Sequence, residues 1–298
     1  MSLEFSEKED LVRRLSNAKE ISFVFGSALT GKHDDVGILE PKGVTEFVKE
    51  KMYQAGYKIP YDQHLENNRD VLEYQAAFEF VAKNYGADEI YNIINEIISL
   101  NIDPTTGKQR IPKRVKEFAK TIKDDKLNIK YIITTNFDTL IEEALDEENI
   151  KYNSISIVSD SNINDNANDL ITIVHIHGVW NKGDTMHTRK QLGQRREKIE
   201  ESIRNILEGH TMCIMAYGGW EDSFTRTLLT IVNNNLFRYS LVWCFYSNRA
   251  EVINDQYGYL EKELKDAISR ERVQFYKGID CNNVFKIINN EVNTPKKL

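Results

Sequence analysis

The sequence predicts an α/β fold, a Rossmann-like parallel sheet of about six strands with an inserted helical module. Three observations carry this. Short apolar runs recur along the chain, each ending in turn residues, and helical-period segments fill the intervals between them. That alternation is the mark of parallel strands joined by crossover helices. The interval after the first run is long and holds helix formers without a strand-like run of its own.

The strands read as residues 21–25, 130–134, 171–176, 212–216, 241–246 and 273–276. The first four run straight into small or polar residues: Gly26-Ser27, Thr135-Asn136, His177-Gly178 and Tyr217-Gly218-Gly219. In open parallel sheets the ligand crevice lies beyond the carboxyl ends of the strands, so these distant loops are expected to converge. Residues 71–100 are dense in helix formers and aromatics, and 115–122 continue the helical period. Residues 44–126 therefore read as a helical module that either roofs the site or packs as extra helices on one sheet face. Residues 20–43 and 127–290 form the Rossmann-like part, and 1–298 reads as a single domain. Residues 159–169 and 181–196 are polar and loop-like, and 289–298 carry no periodicity, as in a frayed tail or a linker.

A chain of 298 residues with 41% hydrophobic content has enough apolar material for a large core. Its net charge of -7 repels polyanions, so direct nucleic acid binding is not expected. Cys213, Cys244 and Cys281 are far apart and form no CxxC pair, which suits buried thiols in a reducing compartment. The N-terminus is acidic where a signal peptide needs a basic region. No apolar run approaches the roughly 20 residues that span a bilayer. The expected location is cytoplasmic, with no membrane partner.

The loops suggest chemistry unevenly. Gly26-Ser27-Ala28-Leu29-Thr30 is a small-residue turn at a strand end, where backbone N–H groups can approach a pyrophosphate, but it lacks a full G-x-G-x-x-G pattern. Thr135-Asn136-Phe137-Asp138 opens a helix, and Thr139 and Glu142 are spaced as a capping box. Asp138 or Thr139 can serve as a cap, whereas Asn136 at the strand exit offers an uncharged amide to a water or a sugar hydroxyl. His175 and His177 lie on opposite faces of one strand. His177 is at the strand mouth, where an imidazole of near-neutral pKa can act as a general base, and His175 reads as a hydrogen-bonded core residue. The two side chains diverge and no ligand set accompanies them, so a metal site is not expected. Tyr217 and Gly218 are candidates for lining a nucleotide, and Ser247 and Asn248 for reaching a ribose. Glu221 and Asp222, after Trp220, fit the start of a helix.

In this order the strand-Gly-Ser-Ala-Leu-Thr turn, the Thr-Thr-Asn-Phe-Asp segment, the His-Gly pair and the late Tyr-Gly-Gly resemble the sirtuin family, over residues 21–248. The resemblance implies NAD as ligand, a phosphate loop at Gly26, Ser27, Ala28 and Thr30, a catalytic Asn136 assisted by Asp138, and His177 as base. By the same resemblance Thr135, Gly178, Tyr217, Gly218, Ser247 and Asn248 join the NAD site. The chain departs from the family's deacylases in lacking the zinc ribbon's two cysteine pairs after the His-Gly, in Ala28, and in the proline-phenylalanine-arginine segment that covers NAD. It is most similar to the sirtuin-like effector domains of bacterial anti-phage systems, some of them fused to a STAND-type sensor. This implies an NAD hydrolase acting in abortive infection, with NAD as substrate, no metal, and a sensor domain, partner protein or self-association as control. A sensor would attach at the polar end near Leu298. The alternatives are an NAD or ADP-ribose sensing module without turnover, which has no need of His177, and an NAD-dependent protein deacylase, against which the missing cysteines argue.

Overall fold

A computed structural model describes residues 3–163, 170–219, 223–233 and 238–291 of the chain. Trp220, Glu221 and Asp222, part of the 159–169 loop, and residues 292–298 lie outside that description. The sheet has eight strands: β1 (Phe5–Ser6), β2 (Ile21–Phe25), β3 (Ile129–Thr134), β4 (Tyr152–Ser156), β5 (Ile171–His175), β6 (Thr211–Met215), β7 (Ser240–Cys244) and β8 (Val273–Tyr276). Their order is β1-β8-β7-β6-β2-β3-β5-β4, and every pairing is parallel. This is a Rossmann-like sheet with helices on both faces. All six expected strands are present, within a residue or two at their ends. The two additional strands are the sheet's edges. One is two residues long and the other reads Tyr-Asn-Ser-Ile-Ser, so neither offers the buried apolar run that marks an interior strand.

Side chains alternate across β2. Phe23 and Phe25 enter one core and Val24 the other. On the first face Phe25 meets Phe118 edge to face at 5.0 Å, and Phe118 lies 4.9 Å from Phe285. These rings seat the helices Lys113–Lys123 and Cys281–Glu291 against the sheet beneath the exit of β2. Arg114 is four residues before Phe118 and Asn282 three before Phe285, so each shares its helix face with an anchoring ring.

Five helices separate β2 from β3: Pro41–Gln54, Lys58–Asn67, Glu73–Tyr85, Ala87–Ser99 and Lys113–Lys123. They both extend the core on the first sheet face and reach the end of the sheet where the strands exit. Asn289 belongs to the last helix and not to a tail, and its Nδ2 donates to Glu117 O at 3.0 Å. No helix among the described residues is long and apolar enough to cross a membrane. The three cysteines, distant in sequence, are all buried, and Cys213 Sγ lies 4.0 Å from Cys244 Sγ across neighbouring strands.

The aromatic seat is testable. Phe118→Ala is expected to cost about 3–5 kcal/mol in urea denaturation, as for a fully buried ring that leaves a cavity. A cost below about 1 kcal/mol would show that the helix is held elsewhere.

Candidate functional site

Leaving β2, the strand order reverses: β3, β5 and β4 extend to one side and β6, β7 and β8 to the other. A cleft opens beyond the carboxyl ends of the central strands, at the switch point where such sheets bind ligands. Its first lobe is a space of about 840 Å³, part of it open to solvent. Gly26, Ser27, Thr30, Thr135, Asn136, Asp138, His177, Tyr217 and Gly218 all line it. A second lobe of about 1310 Å³ shares Ser27, Tyr217 and Gly218 as a common wall and adds Ala28 and Ser247. Gly178 and Asn248 line neither lobe.

Glycine is required at the exit of β2. A β-carbon on Gly26 would meet Ala216 O at 2.7 Å and Tyr217 Cα at 2.9 Å, so any side chain would push the β2 and β6 exits apart. Ala216 itself has φ of 56°, an uncommon conformation for a residue with a β-carbon, and it turns the chain toward Tyr217 directly after β6. Gly178 has φ of 84°, and a β-carbon there would collide with Asp184 O.

Asn136 is held from three sides. Its N–H donates to Thr134 Oγ1 at 3.0 Å, and its Nδ2 donates to Gly26 O at 3.1 Å and to Thr30 Oγ1 at 2.9 Å. Its carbonyl is 2.9 Å from His175 Nδ1. The remaining Oδ1 makes no hydrogen bond to the described residues, although Asn136 is only 6% exposed. Thr30 in turn donates its hydroxyl to Asp138 Oδ2 at 2.7 Å, and Asp138 Oδ1 accepts from Leu140 N at 3.1 Å. Burial raises the Asp138 pKa, outweighing those two bonds.

The capping box expected of Thr139 and Glu142 is not formed. Thr139 makes no side-chain cap, and its hydroxyl donates to Glu143 Oε1 at 2.9 Å. Asp138 does the capping. Glu142 instead turns inward to His175 Nε2 at 2.7 Å and accepts from Ser154 Oγ at 2.9 Å. His175 is thus a hydrogen-bonded core residue, fixed between Glu142 and the Asn136 carbonyl. Burial pulls its pKa down, but the Glu142 carboxylate prevails and holds it above the usual value.

His177 reaches the cleft wall at 7% exposure. Its pKa is not near-neutral: burial, with the Arg196 guanidinium, lowers it to about 3. The cause is the segment that follows. Residues 181–196, expected as a loop, fold back through a short helix Arg189–Gly193 opened by a capping box of Thr188 and Gln191. Met186 N donates to His177 O at 2.9 Å, and Arg196 Nη1 donates to Ile176 O at 2.6 Å. The same segment brings a second imidazole to the cleft, one that the sequence reading missed. His187 lies 2.6 Å from both the Tyr74 hydroxyl and Thr185 Oγ1, and stacks on Phe78 at 4.4 Å. Burial and the neighbouring His177 lower its pKa to about 3. Its only sequence signal was a Met-His pair ahead of a helix cap in a polar stretch. Tyr74, Pro41 and Val44, from the helices after β2, complete the roof. Among the described residues no group of three or more His, Cys, Asp or Glu is placed to hold a metal ion.

Residues 130–265 match the family described as a SIR2-like domain. No curated protein matches the chain. Among solved structures it is similar to a mutant Sir2 homologue in complex with ADP-ribose, at 9% identity over 95% of each chain with a TM-score of 0.48. It is also similar to a Sir2 homologue in complex with NAD, at 8% identity, covering 97% of this chain and 95% of that one with a TM-score of 0.45.

The two depressed histidines set a pH dependence. Each has a folded pKa of about 3 against an ordinary 6.5, so below pH 6.5 the unfolded chain binds protons that the folded chain does not. Stability from this source is full above pH 6.5 and falls as pH drops toward 3, by about 1.4 kcal/mol per pH unit per histidine. His187→Gln is expected to flatten the decline measured by urea denaturation between pH 6.5 and 4.5. Equal slopes in both proteins would contradict it.

Proposed function

We propose that the chain is an NAD hydrolase, cleaving NAD to nicotinamide and ADP-ribose without a metal. One observation carries the reading: the Asn136 amide is clamped through Nδ2 while its Oδ1 is left as an acceptor on the wall it shares with a neutral His177. Nicotinamide leaves a cationic pyridinium as a neutral molecule, so no acid is needed to protonate it. The glycosidic bond breaks toward an oxocarbenium-like ribose, water adds at that carbon, and one proton is released.

Asn136 Oδ1 accepts a hydrogen bond from the attacking water or from a ribose hydroxyl, and His177 takes the proton. Water bonded to an oxocarbenium carbon is far more acidic than free water, so a base with a pKa of about 3 is sufficient. A neutral imidazole also adds no positive charge beside a cationic sugar. Asp138 orients the ribose or the loop through Thr30. Gly26, Ser27, Ala28 and Thr30 bind the pyrophosphate, Thr135, Tyr217 and Gly218 line the nucleotide, and Ser247 serves the adenosine ribose, whereas Gly178 and Asn248 lie outside both lobes. Holding ribose and water in one orientation away from bulk solvent supplies the rest of the rate.

The fold-back of residues 181–196 over His177 favours water over an acyl-lysine peptide as co-substrate, because little of that histidine is left open. Binding of NAD or ADP-ribose without turnover is the second reading, favoured by the burial that holds the His177 pKa so low. On the motif resemblance we extend the first reading to an anti-phage effector that depletes cytoplasmic NAD under a STAND-type sensor, a partner or self-association.

Asn136→Ala and His177→Ala are each expected to reduce nicotinamide release at least about a hundredfold with the circular dichroism spectrum unchanged. Undiminished turnover in either variant would remove that residue from the mechanism.

A further inference from the structure

The helix Lys113–Lys123 brings to the cleft a charge that the proposed chemistry does not use. Arg114 lines the second lobe and is only 5% exposed. Its Nε donates to Leu29 O at 2.7 Å, its Nη2 to Gly31 O, and its Nη1 to Asn282 Oδ1 at 3.2 Å. Every one of these acceptors is neutral.

Among the described residues no carboxylate forms an ion pair with Arg114. Glu40 and Asp280 line the same lobe. Neither carboxylate pairs directly with the guanidinium, and Asp280 is held by amides, its Oδ1 accepting from Asn282 N and Nδ2 and its Oδ2 from Asn283 Nδ2. A guanidinium stays charged at any pH a protein meets, and a buried charge whose direct partners are all neutral is costly. The fold nonetheless builds this position firmly, on the Phe118 and Phe285 rings. The carbonyls it grips belong to the turn after β2, and in trans peptides the N–H groups of Thr30 and Lys32 point away from it.

Resting on the reading of the cleft as a dinucleotide site, we propose that Arg114 selects the ligand's diphosphate: the counter-ion of this buried guanidinium is the pair of phosphates and not a side chain. Arg114 both braces residues 29–31 from behind and brings a positive field to the second lobe, which it lines. The residue therefore reads the charged centre of the ligand, and the adenosine does not depend on it.

The test is calorimetric titration of the full chain with ADP-ribose and with adenosine, for the wild type, Arg114→Gln and Arg114→Lys, with the Tm of each ligand-free protein. Arg114→Gln is expected to weaken ADP-ribose binding about ten- to a hundredfold and to leave adenosine within about twofold; its ligand-free Tm reports the loss of the brace on residues 29–31 separately. Arg114→Lys is expected to recover part of the ADP-ribose affinity. A residue that only supports the fold gives equal losses for ADP-ribose and adenosine, and that result overturns the proposal. Wild-type protein that binds neither ligand overturns the reading of the cleft, and the proposal with it.

Discussion

The hydroxyl of Thr30 is the interaction on which the site depends. It donates to Asp138 and accepts from Asn136, and so joins the exits of two neighbouring strands, β2 and β3, through a single oxygen. Because Thr30 and Gly26 together take both protons of the Asn136 amide, the acceptor end of that amide is the end left for a ligand. The parallel sheet makes this possible by bringing residues 106 positions apart to one edge. The absence of a side chain at Gly26 lets β6 close in from the other side.

The electrostatics of the cleft follow from what lies behind it. The first lobe faces the ligand with an uncharged amide, a neutral imidazole at His177 and a buried Asp138 whose pKa is raised. The buried pair of His175 with Glu142 sits one layer deeper, where it fixes the Asn136 carbonyl and does not line the cleft. A lining with little fixed charge would suit the proposed hydrolysis, whose transition state is itself cationic and would be opposed by a protonated His177. The fold-back after Gly178 maintains this state by keeping water from both His177 and His187.

Much of this was legible in the sequence, and the omissions have a common cause. The six interior strands announced themselves because strands buried on both faces need continuous apolar runs, and the four loop motifs followed from where those runs stop. Edge strands carry no such constraint, which is why Phe5–Ser6 and Tyr152–Ser156 passed unseen. Glu142 was misread because its spacing from Thr139 fits a local cap, whereas a buried histidine 33 residues away claims it. His187 and Arg114 were invisible for the same reason: each is a polar residue in a polar stretch, and only the tertiary structure shows that it is buried and bonded. Period and spacing report which residues face the core, but not which polar groups will find partners there. The pKa of His177 belongs to this class, because its burial is imposed by residues beyond the strand that carries it.

The most direct test of the account is to incubate the wild-type chain with NAD and resolve the products by chromatography. The account predicts nicotinamide and ADP-ribose in equal amounts. NAD that is bound but recovered intact would contradict it, and would make the cleft a sensor of the dinucleotide.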